Sequence, residues 1–294
     1  MCDQQQLSEM GGPAASAFNR RDFTRLGAMA GMGAGLAACT TTGGAASGLT
    51  ENNVSFSAPG GTMDGYFVHP AGSASPGVIM WPDIAGLRDA KKMMARRLAG
   101  EGYAVFVANP YYRSVAGEQF ADFEAFRDQG GFDKVGPWRE QNTPEAVMET
   151  ARAVVSWLDR QDGVDSARGI GNQGYCMTGG WTILTAAAVP DRVKAGASFH
   201  GGGLTGDGAM APVNLMDRLA DDAQLLIAIA QNDDAQDPEA KTELREAAAA
   251  ANVAAEIEVY NGDHGWTVLD SPVYAEAPAE RAYANLLELY SATL

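Results

Sequence analysis

Acyl transfer through a covalent intermediate needs a nucleophile, a base that later serves as an acid, and a group that fixes the base's tautomer. Side chains of those three types stand in that order along this 294-residue chain. Cys176 follows the apolar-tending stretch Ile170 to Tyr175 and precedes small and apolar residues running from Gly179 to Ala188. Strand, sharp turn and helix is the arrangement that raises a nucleophile above a sheet. It also aims a helix N-terminus at the thiol, where unpaired N–H groups favour a thiolate. A buried structural cysteine is the alternative for that stretch taken alone. Asp233 and Asp234 follow the apolar run Leu225 to Ala230, and Asp233 is taken as the acid because it sits nearer the strand end. His264, in Tyr260-Asn261-Gly262-Asp263-His264-Gly265-Trp266, follows the last alternating run and is the better base. A second histidine opens His200-Gly201-Gly202-Gly203. A glycine-rich oxyanion loop belongs before the nucleophile, and this one comes after it, so that reading is rejected. His200 then either borders the pocket or is a satisfied strand-end histidine.

The surrounding pattern supplies elements to position these groups. Val54 to Phe56 and Met63 to Val68 alternate around Pro59-Gly60-Gly61-Thr62, a hairpin signal. Gly77 to Trp81 and Ala104 to Ala108 are short apolar runs that predict buried strands, separated by a helix from Arg88 to Gly100. Thr143-Pro144-Glu145 is a helix start, with apolar residues on one face as far as Leu158. Helices over 238–251 and 279–292 and strands over 195–199 and 254–260 complete an alternation that predicts a mostly parallel sheet covered on both faces, with an antiparallel hairpin at one edge. Residues 114–142 break the rhythm, with aromatics among charges and glycines; they predict a partly helical segment, either covering the site or packing as an ordinary long connection.

Hydrophobic residues make up 46% and charged residues 20%, which predicts a globular chain. A formal net charge of −16 argues against a nucleic-acid partner, which needs a basic surface. The three cysteines, Cys2, Cys39 and Cys176, form no CxxC or Cys/His cluster, so no metal site is expected.

Residues 1–50 differ in character. Arg20-Arg21-Asp22-Phe23 resembles a twin-arginine export signal, and the weakly hydrophobic run Leu26 to Ala38 is too short to cross a bilayer, which takes ~20 residues. Leu36-Ala37-Ala38-Cys39 resembles a bacterial lipobox, with lipid on Cys39; a simple cleaved signal is the alternative. The expected organisation is a signal over 1–39, a flexible tether over 40–53, and one α/β domain over 54–294. The protein would be exported to the periplasmic side and touch a membrane only through that lipid. Cys176 would then be the one free thiol of the mature chain.

Gly174-Tyr175-Cys176 with Gly179-Gly180, Asp233 after its apolar strand, and His264-Gly265-Trp266 together resemble the dienelactone hydrolase family, cysteine members of the α/β-hydrolase superfamily. Pro76-Gly77-Val78-Ile79 and Asn109-Pro110-Tyr111-Tyr112-Arg113 fit that family's early strands and their exits. The resemblance implies an α/β-hydrolase fold, a Cys176–His264–Asp233 triad, no cofactor, and a small ester or lactone as substrate. It implies an oxyanion hole from the backbone N–H groups of Ile84 and Met177. It places an acidic partner of the thiol at Asp83, where the family type is Glu, and a substrate-binding arginine at Arg113. Tyr112, His200 and Trp266, at or beside strand exits, are further candidate substrate-binding residues. Thr178 stands where a second elbow glycine is usual. Trp266-Thr267-Val268-Leu269 carries no arginine after the histidine, so a two-point clamp on a substrate carboxylate is not expected.

Other functions compete. A thioesterase or carboxylesterase would use the same triad on another acyl group. A non-catalytic lipoprotein could use the fold for binding. A thiol redox sensor lacks a second mature cysteine. A glutamine amidotransferase would carry its acid two residues past the histidine, where Trp266 stands.

Overall fold

The computed structural model describes residues 48–294. The expected signal, the Cys39 lipobox and most of the tether lie outside the described residues. Eight strands form one sheet in the order β1-β2-β4-β3-β5-β6-β7-β8. They are β1 (Leu49–Ala58), β2 (Gly61–Pro70), β3 (Gly77–Trp81), β4 (Ala104–Ala108), β5 (Ile170–Tyr175), β6 (Val193–Phe199), β7 (Gln224–Ala230) and β8 (Ala254–Tyr260). From β4 onward every pairing is parallel, whereas β1–β2 and β2–β4 are antiparallel. This is the α/β sheet with an edge hairpin that the sequence predicts.

The first strand starts at Leu49, so residues 49–53 pair with β2 instead of forming tether. Thr50-Glu51-Asn52-Asn53 has no apolar alternation to announce a strand. At a sheet edge the backbone ladder suffices, and Glu51 adds an ion pair to Arg96.

The helices are α1 (Asp89–Gly100), α2 (Phe123–Asp128), α3 (Gly131–Arg139), α4 (Pro144–Leu158), α5 (Trp181–Ala188), α6 (Gln231–Gln236), α7 (Ala240–Ala250) and α8 (Glu276–Thr293). Thr143 caps α4 by accepting from the Ala146 N–H, with Pro144 at the first position, as its sequence predicts. Two apolar layers cover the sheet. One joins Phe67, Phe106 and Leu225 to Val154, Trp157 and Ile183 of α4 and α5. The other joins Val78, Val105 and Leu226 to Leu98, Leu286 and Tyr290 of α1 and α8. The central strands β3, β4 and β5 are buried along their whole length. Burial on both faces is what makes β3 and β4 continuous apolar runs. In β5 the buried polar side chains are paired: Asn172 donates to the Ala195 carbonyl, and Gln173 bridges the Tyr175 and Tyr290 hydroxyls. Among the described residues no helix is long and apolar enough to cross a membrane.

Candidate active site

The parallel strands end on one side of the sheet, where ligands collect in open α/β folds. Cys176 leaves β5 there with φ 53°, a left-handed conformation that a non-glycine residue adopts only when its surroundings force it. Those surroundings are visible. A Cβ on Gly174 would collide with the Thr178 carbonyl, and one on Gly179 with Gly201, so both positions admit only glycine. The Cys176 carbonyl accepts the N–H of Gly179 at 3.0 Å and of Gly202 at 2.8 Å. Thr178 is the staple of the turn: its hydroxyl accepts the Tyr175 N–H at 2.9 Å and reaches the Trp81 carbonyl at 2.8 Å. The β-branched residue in place of glycine therefore does not relax the elbow. It ties β5 to the end of β3.

Asp233 and His264 come from neighbouring strand exits. Asp233 lies in α6, a short helix directly after β7, and His264 lies in the loop after β8. The His264 Nδ1 meets Asp233 Oδ2 at 2.7 Å. Asn232 accepts the His264 backbone N–H at 2.8 Å and holds the loop in register. Asp234 instead pairs with Lys241, so Asp233 is the carboxylate on the histidine. Burial opposes charge on His264, yet the Cys176 thiolate and Asp233 outweigh it and hold the imidazole pKa up at about 10. His264 also hydrogen-bonds Cys176. Thiol, imidazole and carboxylate thus form one connected line, which can hold a thiolate–imidazolium pair at neutral pH.

Ile84 and Met177 both pack in the buried apolar group that contains Cys176. Tyr111 links them, donating from its hydroxyl to the Ile84 carbonyl at 2.7 Å and touching Met177 Sδ at 3.6 Å. Phe120, Phe123, Phe126 and Val135 of the 114–142 segment belong to the same buried apolar group, with partly buried Phe132 and Trp138 packed against it.

Other predicted positions do not converge on the thiol. Asp83 is engaged bidentately by Arg88, at 2.8 and 2.9 Å, and its two oxygens also take the Ala85 N–H and the Lys91 ammonium. With its acceptor sites filled by cations and backbone, it has no lone pair left for the thiol proton, so the reading of Asp83 as the thiol's acid partner is corrected. It is a structural anchor for the Ile84–Ala85 loop. Arg113 donates to the Ala146 carbonyl and the Thr150 hydroxyl on α4, both at 2.8 Å, and Tyr112 binds Thr150 and the Pro59 carbonyl. Both side chains are thus engaged with α4 and the β1–β2 turn. Trp266 has 0% exposure, stacks on Tyr260 and meets His200 edge-on at 5.2 Å. It backs the histidines and does not line a substrate surface. His200 is buried behind His264, with ring centroids 5.0 Å apart, and its Nε2 lies 3.0 Å from the Thr267 hydroxyl. Burial, and then the charge of His264, push its pKa well below the usual histidine value, so it is a neutral neighbour.

Three residues that matter here carry no sequence signal of their own: Tyr111, Arg88 and Asp270. Arg88 binds Asp83 on one side and Asp270 on the other, and Asp270 also accepts the Phe123 N–H at 2.9 Å. Their clue would have been a charged pair beside a strand exit, which is common on any surface.

The strand order, the strained thiol elbow at the end of β5, and a histidine–carboxylate pair from the last two strand exits define an α/β-hydrolase. Within that class the chain belongs to the dienelactone hydrolase family, whose model matches residues 63–294. A Salmonella typhi protein named "Putative carboxymethylenebutenolidase" is 30% identical over 258 residues, spanning 86% of this chain and 89% of that protein. A protein of the same name from Escherichia coli (strain K12) is 30% identical over 237 residues, 79% of this chain and 83% of its own length. The crystal structure of a dienelactone hydrolase homologue from Klebsiella pneumoniae subsp. pneumoniae superposes with a TM-score of 0.68 at 25% identity, covering 83% of this chain and 98% of the other.

Proposed function

We propose that the chain is a cysteine-dependent hydrolase of small esters or lactones. The observation that carries this reading is the line Cys176–His264–Asp233, with the 2.7 Å bond fixing the imidazole tautomer. The names of the Salmonella and Escherichia relatives support a lactone or ester as the bond attacked. The Cys176 thiolate attacks the carbonyl carbon, and the electron pair of the C=O bond moves to oxygen. The N–H groups of Ile84 and Met177 stabilise that oxyanion, each contributing roughly 3 kcal/mol. The C–O bond breaks as His264 protonates the leaving oxygen, which yields an acyl-cysteine. Water, deprotonated by His264, then attacks the thioester, and the thiolate departs with the acid released. With a lactone the leaving hydroxyl stays on the acyl chain through both steps, so a single hydroxy acid is released.

Cys176→Ser and His264→Ala are each expected to reduce hydrolysis of p-nitrophenyl acetate to near background, with the fold intact by circular dichroism. Full turnover in both variants would refute the reading.

We further propose export and anchoring through Cys39, on the strength of the Arg20-Arg21 and Leu36-Ala37-Ala38-Cys39 motifs. Cys39→Ala is expected to move the protein from the membrane to the soluble fraction. An unprocessed N-terminus on a soluble wild-type protein would contradict it.

A further inference from the structure

We infer that the site selects neutral acyl groups with an apolar, preferably aromatic, body and discriminates against carboxylate-bearing esters and lactones. The inference rests on the reading of Cys176 as nucleophile and concerns what lies around it. Cys176 is 5% exposed and shares one apolar group with Tyr111, Phe123 and Phe126. Half-buried Phe132, Trp138 and Met177 edge that group. The elbow backbone is held at the Cys176 carbonyl by the N–H groups of Gly179 and Gly202, and His264 hydrogen-bonds the thiol. An acyl chain bonded to the sulfur therefore extends among rings.

The cations anchored at the neighbouring strand exits are already spent. Arg113, the expected carboxylate anchor, donates to α4. Arg88 and Lys91 are fully buried and neutralised by Asp83 and Asp270. The Tyr111 hydroxyl gives its proton to the Ile84 carbonyl. The loop after His264 offers Trp266, Thr267, Val268 and Leu269. A carboxylate drawn among these rings would lose water without gaining a cation, which costs far more than an apolar group pays for the same move. Aromatic acyl groups instead meet ring edges and a thioether, both favourable partners.

The test is a matched set of p-nitrophenyl esters: acetate, phenylacetate, hexanoate and the hemisuccinate. Phenylacetate is expected to exceed hemisuccinate in kcat/KM by roughly 100-fold or more, the scale on which a site rejects a buried unpaired polar group. Phe132→Ala and Trp138→Ala are each expected to lower the phenylacetate-to-acetate ratio about tenfold, from the apolar area removed at the rim. Thermal melts check that both variants fold. Hemisuccinate turned over as well as phenylacetate would overturn the inference. Unchanged ratios in both rim variants would also overturn it. If acetate is hydrolysed in a Cys176-dependent way without this selectivity, only this inference falls. If no ester is turned over, the nucleophile reading falls with it.

Discussion

Arg88→Met should be the most disruptive single change outside the triad, because Arg88 is the one side chain that ties three parts of the site together. It has 0% exposure, and all five of its N–H groups are used. Four go to the carboxylates of Asp83 and Asp270 at 2.7–2.9 Å and one to the Gly86 carbonyl at 3.1 Å. Through Asp83 it holds the Ile84 loop, and through Asp270 it holds the loop after His264 and the start of α2. Methionine fills similar volume but leaves two carboxylates facing Lys91 alone. Removing one partner of a buried ion pair costs about 3–5 kcal/mol. The low end applies to the Asp270 half, whose side chain is 19% exposed and can recruit water. At ~2–4 °C per kcal/mol for a domain of this size, the melting temperature should fall by roughly 6–20 °C. Displacing the Ile84 and His264 loops should also lower kcat by more than about tenfold. Burial disfavours the Asp83 carboxylate, but Arg88 and Lys91 more than offset this and hold its pKa well below the usual carboxylate range. That stability is present above about pH 4, the ordinary value, and is lost as pH falls below it; without Arg88 this acid-side loss should be smaller, because less of that stability is there to lose. Lys91 differs. Burial pushes its pKa down to about 8, so its charge is costly, and Lys91→Met should destabilise less than Arg88→Met. A calorimetric melt of Arg88→Met within about 2 °C of wild type, with unchanged kcat, would refute the reasoning.

The thiolate–imidazolium pair predicts that iodoacetamide alkylates Cys176 at a nearly constant rate from about pH 6 to 9, whereas an ordinary thiol gains roughly tenfold per pH unit up to its pKa near 8.5. His264→Ala should restore that rise, and a tenfold-per-unit rise in the wild type would contradict the pair. With the His264 pKa raised to about 10, the proton donated to the leaving group is present below that pH and lost above it, so ester turnover should decline only as pH rises through 10. Thr178→Val keeps the branched shape but removes the hydroxyl bonds to Tyr175 and Trp81; it should cost about 1–3 kcal/mol in urea unfolding and lower kcat, while Thr178→Ser should retain most of both.

The elements that follow local chemistry were legible. Gly77–Trp81 and Leu225–Ala230 are apolar runs because the strands are covered on both faces, and Thr143-Pro144 carries its own cap. Helix α6 was not legible: Gln231-Asn232-Asp233-Asp234 is wholly polar, with no apolar face to report a period, and it forms where the end of β7 turns. The choice between Asp233 and Asp234 stayed ambiguous by one residue in the sequence; in the fold it is Asp233 that meets His264. The choice between Tyr111 and Tyr112 was not legible either. Adjacent residues at a strand exit project to opposite sides, and nothing local says which side holds the thiol.

By itself the sequence determined the chemical types, their order along the chain and the strand exits that carry them, because periodicity, turn residues and chain order are local properties. Tertiary structure alone decided which polar groups those residues spend themselves on. Asp83 satisfies Arg88 and Lys91 instead of the thiol, Arg113 satisfies α4 instead of a substrate, and Trp266 seals the core behind the histidines. A buried charge or donor must be paired, and its partner comes from whichever distant segment the packed fold brings within about 3 Å, a fact that no local pattern contains.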